Sequence, residues 1–189
     1  EIKGNFKMKM KEVMDQIKFL QGEISTRQIY AHTKFAAPLL DYIVTDLVKF
    51  RREQQDATLG GMVVCDSADQ AKELFRLFQE KYGMQETDAS IFMAAEPPAK
   101  YGNHDEPKLT ASLILHDEND KTIRKELITA YKKGKIDLLF VYNMLLTGFD
   151  AKRLKKLYLA RVIQDHNLLQ TLTRVNRPYK QYRYGYVVD

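Results

Sequence analysis

Gln170, Arg174 and Arg177 recur at helical spacing in the stretch that begins at His166, and Leu168, Leu172 and Val175 recur at the same spacing on the opposite side. Two guanidiniums and an amide aimed one way from one rigid element suit a triphosphate, because arginine is always charged and grips phosphate oxygens bidentately. A solvated helix face has the same pattern. A second stretch, Thr147-Gly148-Phe149-Asp150, offers a hydroxyl, a glycine that lets backbone approach a phosphate or sugar closely, and a carboxylate able to accept from a ribose hydroxyl. On those four residues alone an ordinary Gly-Asp turn is the better reading.

The other reactive side chains point to less. Cys65 lies inside an apolar run and reads as a small buried hydrophobe rather than a nucleophile. His32, His104 and His116 have no ligand spacing, and one cysteine makes no zinc cluster, so no metal site is expected. Tyr179, Tyr182, Tyr184 and Tyr186 interleave with Lys180 and Arg183 and could stack on bases, although packing is expected for at least half of them.

The elements that must carry these residues follow from apolar periodicity. Residues 1–37 mix Lys, Met and Glu with scattered apolar positions and read as a helical lead-in or linker. From Pro38, taken as a first-turn proline, Leu39, Leu40, Ile43, Leu47 and Phe50 predict a helix ending near Arg51-Arg52-Glu53, broken by Gly60-Gly61. Met62-Val63-Val64-Cys65 predicts a strand, Ser67 with Gln70 a capping box, and Ala71 to Tyr82 a helix ended by Gly83. Periodicity fails at about 86–110, where Pro97, Pro98 and Pro107 cluster with Gly102 and Asn103, and a surface insertion is expected. Ala111–Leu115 and Ile136–Tyr142 read as strands around a helix closed by Gly134; Leu157–Leu159 and Tyr186–Val188 read as strands around a helix from His166 to Asn176, stopped by Pro178. Continuous apolar strands alternating with helices predict an α/β fold, a parallel sheet with helices on both faces. Ligands of such sheets gather beyond the carboxyl ends of the strands, where the 147–150 loop is expected.

Charge is uneven. Residues 151–189 hold nine basic residues against two acidic, while the remainder holds 21 against 23. A basic edge suits phosphate, and a solvated face is the alternative. The 189 residues are 44% hydrophobic and 29% charged, which excludes a disordered chain, and the longest apolar runs are far too short to span a bilayer. The single cysteine fits a cytoplasmic setting, and the chain opens at Glu1 and stops at Asp189 as a segment of something longer would.

Taken together, Met62-Val63-Val64-Cys65-Asp66-Ser67, Leu145-Leu146-Thr147-Gly148-Phe149-Asp150 and His166-Asn167-Leu168-Leu169-Gln170 through Arg174, Asn176 and Arg177 resemble motifs IV, V and VI of superfamily 2 helicases. The strings LLTGFDA and HNLLQTLTRVNRPY most resemble the motor (R) subunit of type I restriction enzymes. The resemblance covers 38–189 and implies a RecA-like, P-loop NTPase-type C-terminal helicase lobe, the second of two lobes in an ATP-dependent DNA translocase and endonuclease.

The resemblance also implies roles. Arg174 and Arg177 match arginines that reach the γ-phosphate of ATP; Gln170, Gly148 and Asp150 fall on the nucleotide side, Asp150 near the ribose; Ser67 and Thr147 match contacts to the nucleic-acid backbone. Thr173 and Asn176 stand where many helicases have glycine, which argues against the RNA-helicase branch. With no G-x-x-x-x-G-K-[ST] loop here, ATP and Mg²⁺ would be held mainly by a first lobe of the same polypeptide, and the isolated chain would be inactive. Duplex DNA and the modification and specificity subunits are the implied partners, with no membrane, and the nuclease residues would lie elsewhere. Another superfamily 2 translocase, or a stand-alone basic nucleic-acid-binding domain, is the alternative.

Overall fold

The computed structural model describes Lys11, residues 26–83, 109–115, 120–142, 149–161, Thr173 and residues 175–189. Helices α1 (Thr26–Ala31) and α2 (Thr33–Glu53) precede the sheet. Then follow β1 (Gly60–Cys65), α3 (Ala68–Tyr82), β2 (Ala111–Leu115), α4 (Lys121–Lys132), β3 (Leu138–Tyr142), β4 (Leu154–Ala160) and β5 (Tyr186–Val188). The five strands form one sheet in the order β2-β3-β1-β4-β5, every pair parallel. The expected α/β architecture is therefore present, and helices precede the sheet.

All six residues of β1 are buried, so it is apolar on both faces, and alternate side chains supply two cores. Val63 joins Phe140 and Tyr158 against Leu40, Ile43 and Leu47 of α2 and Leu74 and Phe78 of α3. Met62 and Val64 join Leu139 and Val141 on the other face, with Tyr131 at the end of α4 and with Phe149 and Val175. Each fully buried side chain of this size stabilises by about 1.5–3 kcal/mol.

Two helix and strand starts differ from expectation. α2 begins at Thr33, and Pro38 lies inside it. The ring removes one bond to the Lys34 carbonyl, but the turn before it persists because His32 caps it, accepting from Lys34 N at 3.2 Å, and because Phe35 and Ala36 are buried. Gly60 and Gly61 open β1 instead of breaking the chain. Their amides pair with Arg153 O at 2.7 Å and Asp137 O at 2.9 Å, and a Cβ on Gly60 would lie 2.2 Å from the hydroxyl of Tyr131. Glycine stands there for room.

The capping box was legible. Ser67 Oγ accepts from Gln70 N at 3.0 Å, and Gln70 Oε1 accepts in return from the amide of Asp66 at 2.7 Å. Ser67→Ala is expected to cost about 1 kcal/mol, the worth of one N-cap. Urea unfolding of both proteins measures it, and identical midpoints would mean the hydroxyl does not cap.

Beneath the sheet, at the amino ends of the strands, lies an ionic layer. Asp137 Oδ1 meets Arg51 Nη2 at 2.6 Å and Arg153 Nη2 at 3.5 Å, while Oδ2 accepts from Thr110 N and Oγ1, each at 3.0 Å. Arg153, 3% exposed, also donates to Thr58 O at 2.8 Å and Tyr131 O at 2.8 Å and lies over the Tyr131 ring at 4.9 Å. Lys156 pairs with Asp46 at 2.6 Å, and Lys180 with Asp56 at 2.9 Å. Of the basic residues in 151–189, Arg153 and Lys156 are thus turned inward onto carboxylates and carbonyls, while Lys180 is paired at the surface. Among the described residues no helix is long and apolar enough to cross a membrane.

Candidate functional site

Of the residues singled out in the sequence, Ser67, Asp150 and Arg177 are described; Thr147, Gly148, Gln170 and Arg174 lie outside the described residues, as do most of the 166–176 helix and the insertion at 86–110 apart from its last two positions. Val175, expected on the buried stripe, is 1% exposed. Arg177 is not on the helix. It lies beyond it, next to Pro178, because the proline ring disfavours helical backbone in the residue before it.

Asp150 and Arg177 are brought together. The Asp150 carboxylate accepts from Arg177 Nη1 in a close ion pair, with the two side chains 50% and 35% exposed. A pair this open to water is worth under about 1 kcal/mol. It holds the guanidinium near one position but exchanges readily for a better anion.

Phe149 anchors the loop that delivers Asp150. Its ring is 1% exposed and packs at 5.7 Å on Tyr131, whose hydroxyl faces Gly60 at the start of β1. Lys155, at the start of β4, reaches the carbonyl of Arg177. Both anchors are at amino ends of strands. The described end of the 147–150 loop therefore sits at the amino edge of the sheet, not beyond the carboxyl edge as expected, because Phe149 is drawn into the core around Tyr131. Ser67 follows the carboxyl end of β1. A six-residue strand is about 20 Å long, and that length separates Ser67 from the Asp150–Arg177 pair.

Ser67 is 8% exposed and its oxygen is engaged as a helix cap; its hydroxyl proton remains available to donate. Cys65 is fully buried, and burial pushes its thiol well above the usual range, so it is no nucleophile. Tyr179 shares a hydrogen bond with Thr58 at 3.1 Å, Tyr182 donates to Gln54 O at 3.1 Å and Tyr186 stands edge-on to Phe50, leaving Tyr184 the most open of the four at 65%. Packing accounts for three of the four. Among the described residues no group of three His, Cys, Asp or Glu could hold a metal ion.

Two residues near Arg177, Lys155 and Gly185, were missed in the sequence, and Asn176 was singled out there without a role. Lys155 is fully buried, and burial lowers its pKa. Asn176 Oδ1 accepts from Gly185 N at 3.3 Å. Gly185 itself has no room for a side chain, since a Cβ would fall 2.1 Å from Val175 Cγ1 and 2.7 Å from Val175 O. The one signal available was a lysine pair, Lys155-Lys156, leading into an apolar strand.

Comparison with known proteins agrees with the motif reading. Residues 110–189 match the model for type I restriction enzyme subunit R domain 3. A type I restriction enzyme endonuclease subunit of Staphylococcus aureus strain COL is 26% identical over 186 residues, 88% of this chain and 20% of its own length. One from Staphylococcus saprophyticus is 44% identical over 57 residues, 30% of this chain and 6% of its own. The chain spans a fifth or less of the curated relatives it matches. In fold it is similar to domain 2 of the DEAD-box helicase Mss116p bound to an RNA duplex, with a TM-score of 0.53 at 11% identity over 84% of this chain and 49% of that one. The resemblance to type I restriction enzyme R subunits and the RecA-like helicase-lobe fold are both borne out.

Proposed function

We propose that this chain, similar to type I restriction enzyme R subunits, is the second RecA-like motor lobe of an ATP-dependent DNA translocase, spanning 38–189 with 1–37 as its lead-in. One observation carries the reading: residues from two separate segments, Asp150 and Arg177, meet at the amino edge of the sheet, while Ser67 stands a strand's length away at the other. One edge then serves nucleotide and the other DNA.

On the nucleotide edge, Arg177 neutralises charge that develops on the γ-phosphoryl group, joined by Arg174 from the preceding helix. Asp150 holds the Arg177 guanidinium until a phosphate replaces it and is placed to accept from the ribose, with Gln170 and Gly148 contributing to the same pocket. ATP and Mg²⁺ are held mainly by the first lobe of the same polypeptide, whose closure brings the phosphates to these arginines. On the DNA edge, Ser67 donates to backbone phosphate, and Thr147, which lies outside the described residues, is proposed as a second backbone contact. Repeated closure moves one grip relative to the other, and the modification and specificity subunits direct the motor to its sites before cleavage.

The division of labour has a direct test. Full-length protein is expected to hydrolyse ATP when duplex DNA is added, and the isolated chain is expected to hydrolyse none above a buffer blank. Turnover by the isolated chain would show that it holds a complete phosphate site, and a full-length protein indifferent to DNA would remove the motor reading.

A further inference from the structure

The pairing of β1 with β4 shifts by one residue at its start. Gly60 pairs with Leu154 and Gly61 with Lys156, so Lys155 is an extra residue, a β-bulge. A bulge re-aims the side chain it carries. Here it sends a lysine into the protein: Lys155 is fully buried, and its ammonium donates to the main-chain carbonyl of Arg177.

Burying an ammonium is costly, and a single neutral acceptor offsets only part of that cost. An apolar residue of similar length would bury no charge there. Meanwhile the segment that Lys155 holds is fixed from its other sides as well. Gly185 backs against Val175 and also approaches Lys155 O, within 3.1 Å of where a Cβ would stand. The Gly185 amide is tied to Asn176, and the Arg177 side chain is tied to Asp150. Two contacts touch Arg177 itself, Asp150 on its side chain and Lys155 on its carbonyl, while Gly185 holds Val175 and Asn176 just before it, and Lys155 is the one that reaches the arginine from inside the sheet.

We propose that Lys155 is a positioning residue for Arg177, a buried strut that sets where the guanidinium stands relative to a phosphoryl group. The proposal rests on the motor-lobe reading. It differs from a stability role in one respect: its effect must pass through Arg177. Displacing a catalytic group by about 1 Å costs on the order of 10²-fold in rate, so an arginine freed from its strut loses turnover while substrate binding, made mostly elsewhere, changes little.

The experiment is a double-mutant cycle in the full-length protein, with Lys155→Met and Arg177→Ala singly and together, read as DNA-stimulated ATP hydrolysis beside a thermal melt. Methionine keeps the length and removes the donor. Lys155→Met is expected to lower kcat by about 10- to 100-fold with KM for ATP changed less than about twofold. In the Arg177→Ala background the same change is expected to cost nothing further. If Lys155→Met does not fold, Lys155→Gln, which keeps a shorter donor, is put through the same cycle with the same expectation. Parental kcat in the lysine variant, or an equal loss in both backgrounds, overturns the strut while leaving the motor reading intact. Parental turnover by Arg177→Ala alone removes the motor role of this arginine and the strut with it.

Discussion

Arg177→Ala in the full-length protein is expected to lower DNA-stimulated ATP hydrolysis by roughly 10³- to 10⁵-fold, or about 4–7 kcal/mol of transition-state stabilisation. The argument is electrostatic. A guanidinium opposite charge that appears only in the transition state accelerates the chemical step, and one that contacts bound ATP equally throughout changes KM alone. Arg177 has a partner that costs little to leave, since its ion pair with Asp150 is half in water. It also has a fixed backbone. Arg177→Lys is not expected to rescue activity, because an ammonium cannot reproduce the planar fork that meets two oxygens at once. The fold is expected to survive either change, for the side chain is 35% exposed and takes no part in the core. Steady-state turnover beside a thermal melt decides: parental turnover in a folded variant would leave Arg177 as an ordinary surface arginine.

The largest loss of stability is expected from Asp137→Ala. This carboxylate stands between Arg51 and Arg153, whose side chains are 10% and 3% exposed, and it also accepts from the amide and hydroxyl of Thr110. Removing it leaves two guanidiniums at the amino ends of β1, β3 and β4 without their anion. Breaking a buried pair in this way costs about 3–5 kcal/mol, a large part of the roughly 5–15 kcal/mol that a domain has in total. Asp137→Asn keeps an acceptor for Thr110 and loses the charge, so a smaller loss is expected. Urea unfolding of the isolated chain reads both, as a fall in midpoint at constant slope. A loss under about 1 kcal/mol for the alanine variant would mean that water or the carbonyls of Leu59, for Arg51, and of Thr58 and Tyr131, for Arg153, already satisfy both arginines.

How far these features could be read in advance depended on whether neighbours in sequence carried the signal. The runs Met62 to Cys65 and Leu138 to Tyr142 announced strands buried on two faces because burial on both sides demands apolar residues without alternation. Ser67 and Gln70 announced a cap because its two hydrogen bonds are local. Lys155 and Lys156 concealed the first half of β4, since the Arg177 carbonyl that accepts from one and the Asp46 that pairs with the other come from far along the chain. Gly60 read as a breaker for the same reason: the atom that forbids a Cβ belongs to Tyr131. In the site, motif spacing singled out Asp150 and Arg177 individually. Their meeting depends on the Phe149 anchor and on Pro178 ending the helix, and neither the anchor's destination nor the bulge at Lys155 has any local signature.

The strand order carries a consequence for how the chain acquires its structure. β1 occupies the middle of the sheet, yet both of its neighbours, β3 and β4, are encoded in residues 138–160, on the far side of two helices, a strand and a long connection. During synthesis an apolar strand with two unsatisfied edges and only α2 and α3 at hand must wait for most of the chain to emerge. Contacts of such long separation are slow to form, and unpaired strand edges are the surfaces on which nascent chains associate wrongly. The interval between the appearance of Cys65 and that of Ala160 is therefore the period in which this lobe is most open to aggregation. A chaperone that acts on it has residues 60–65 as its natural target.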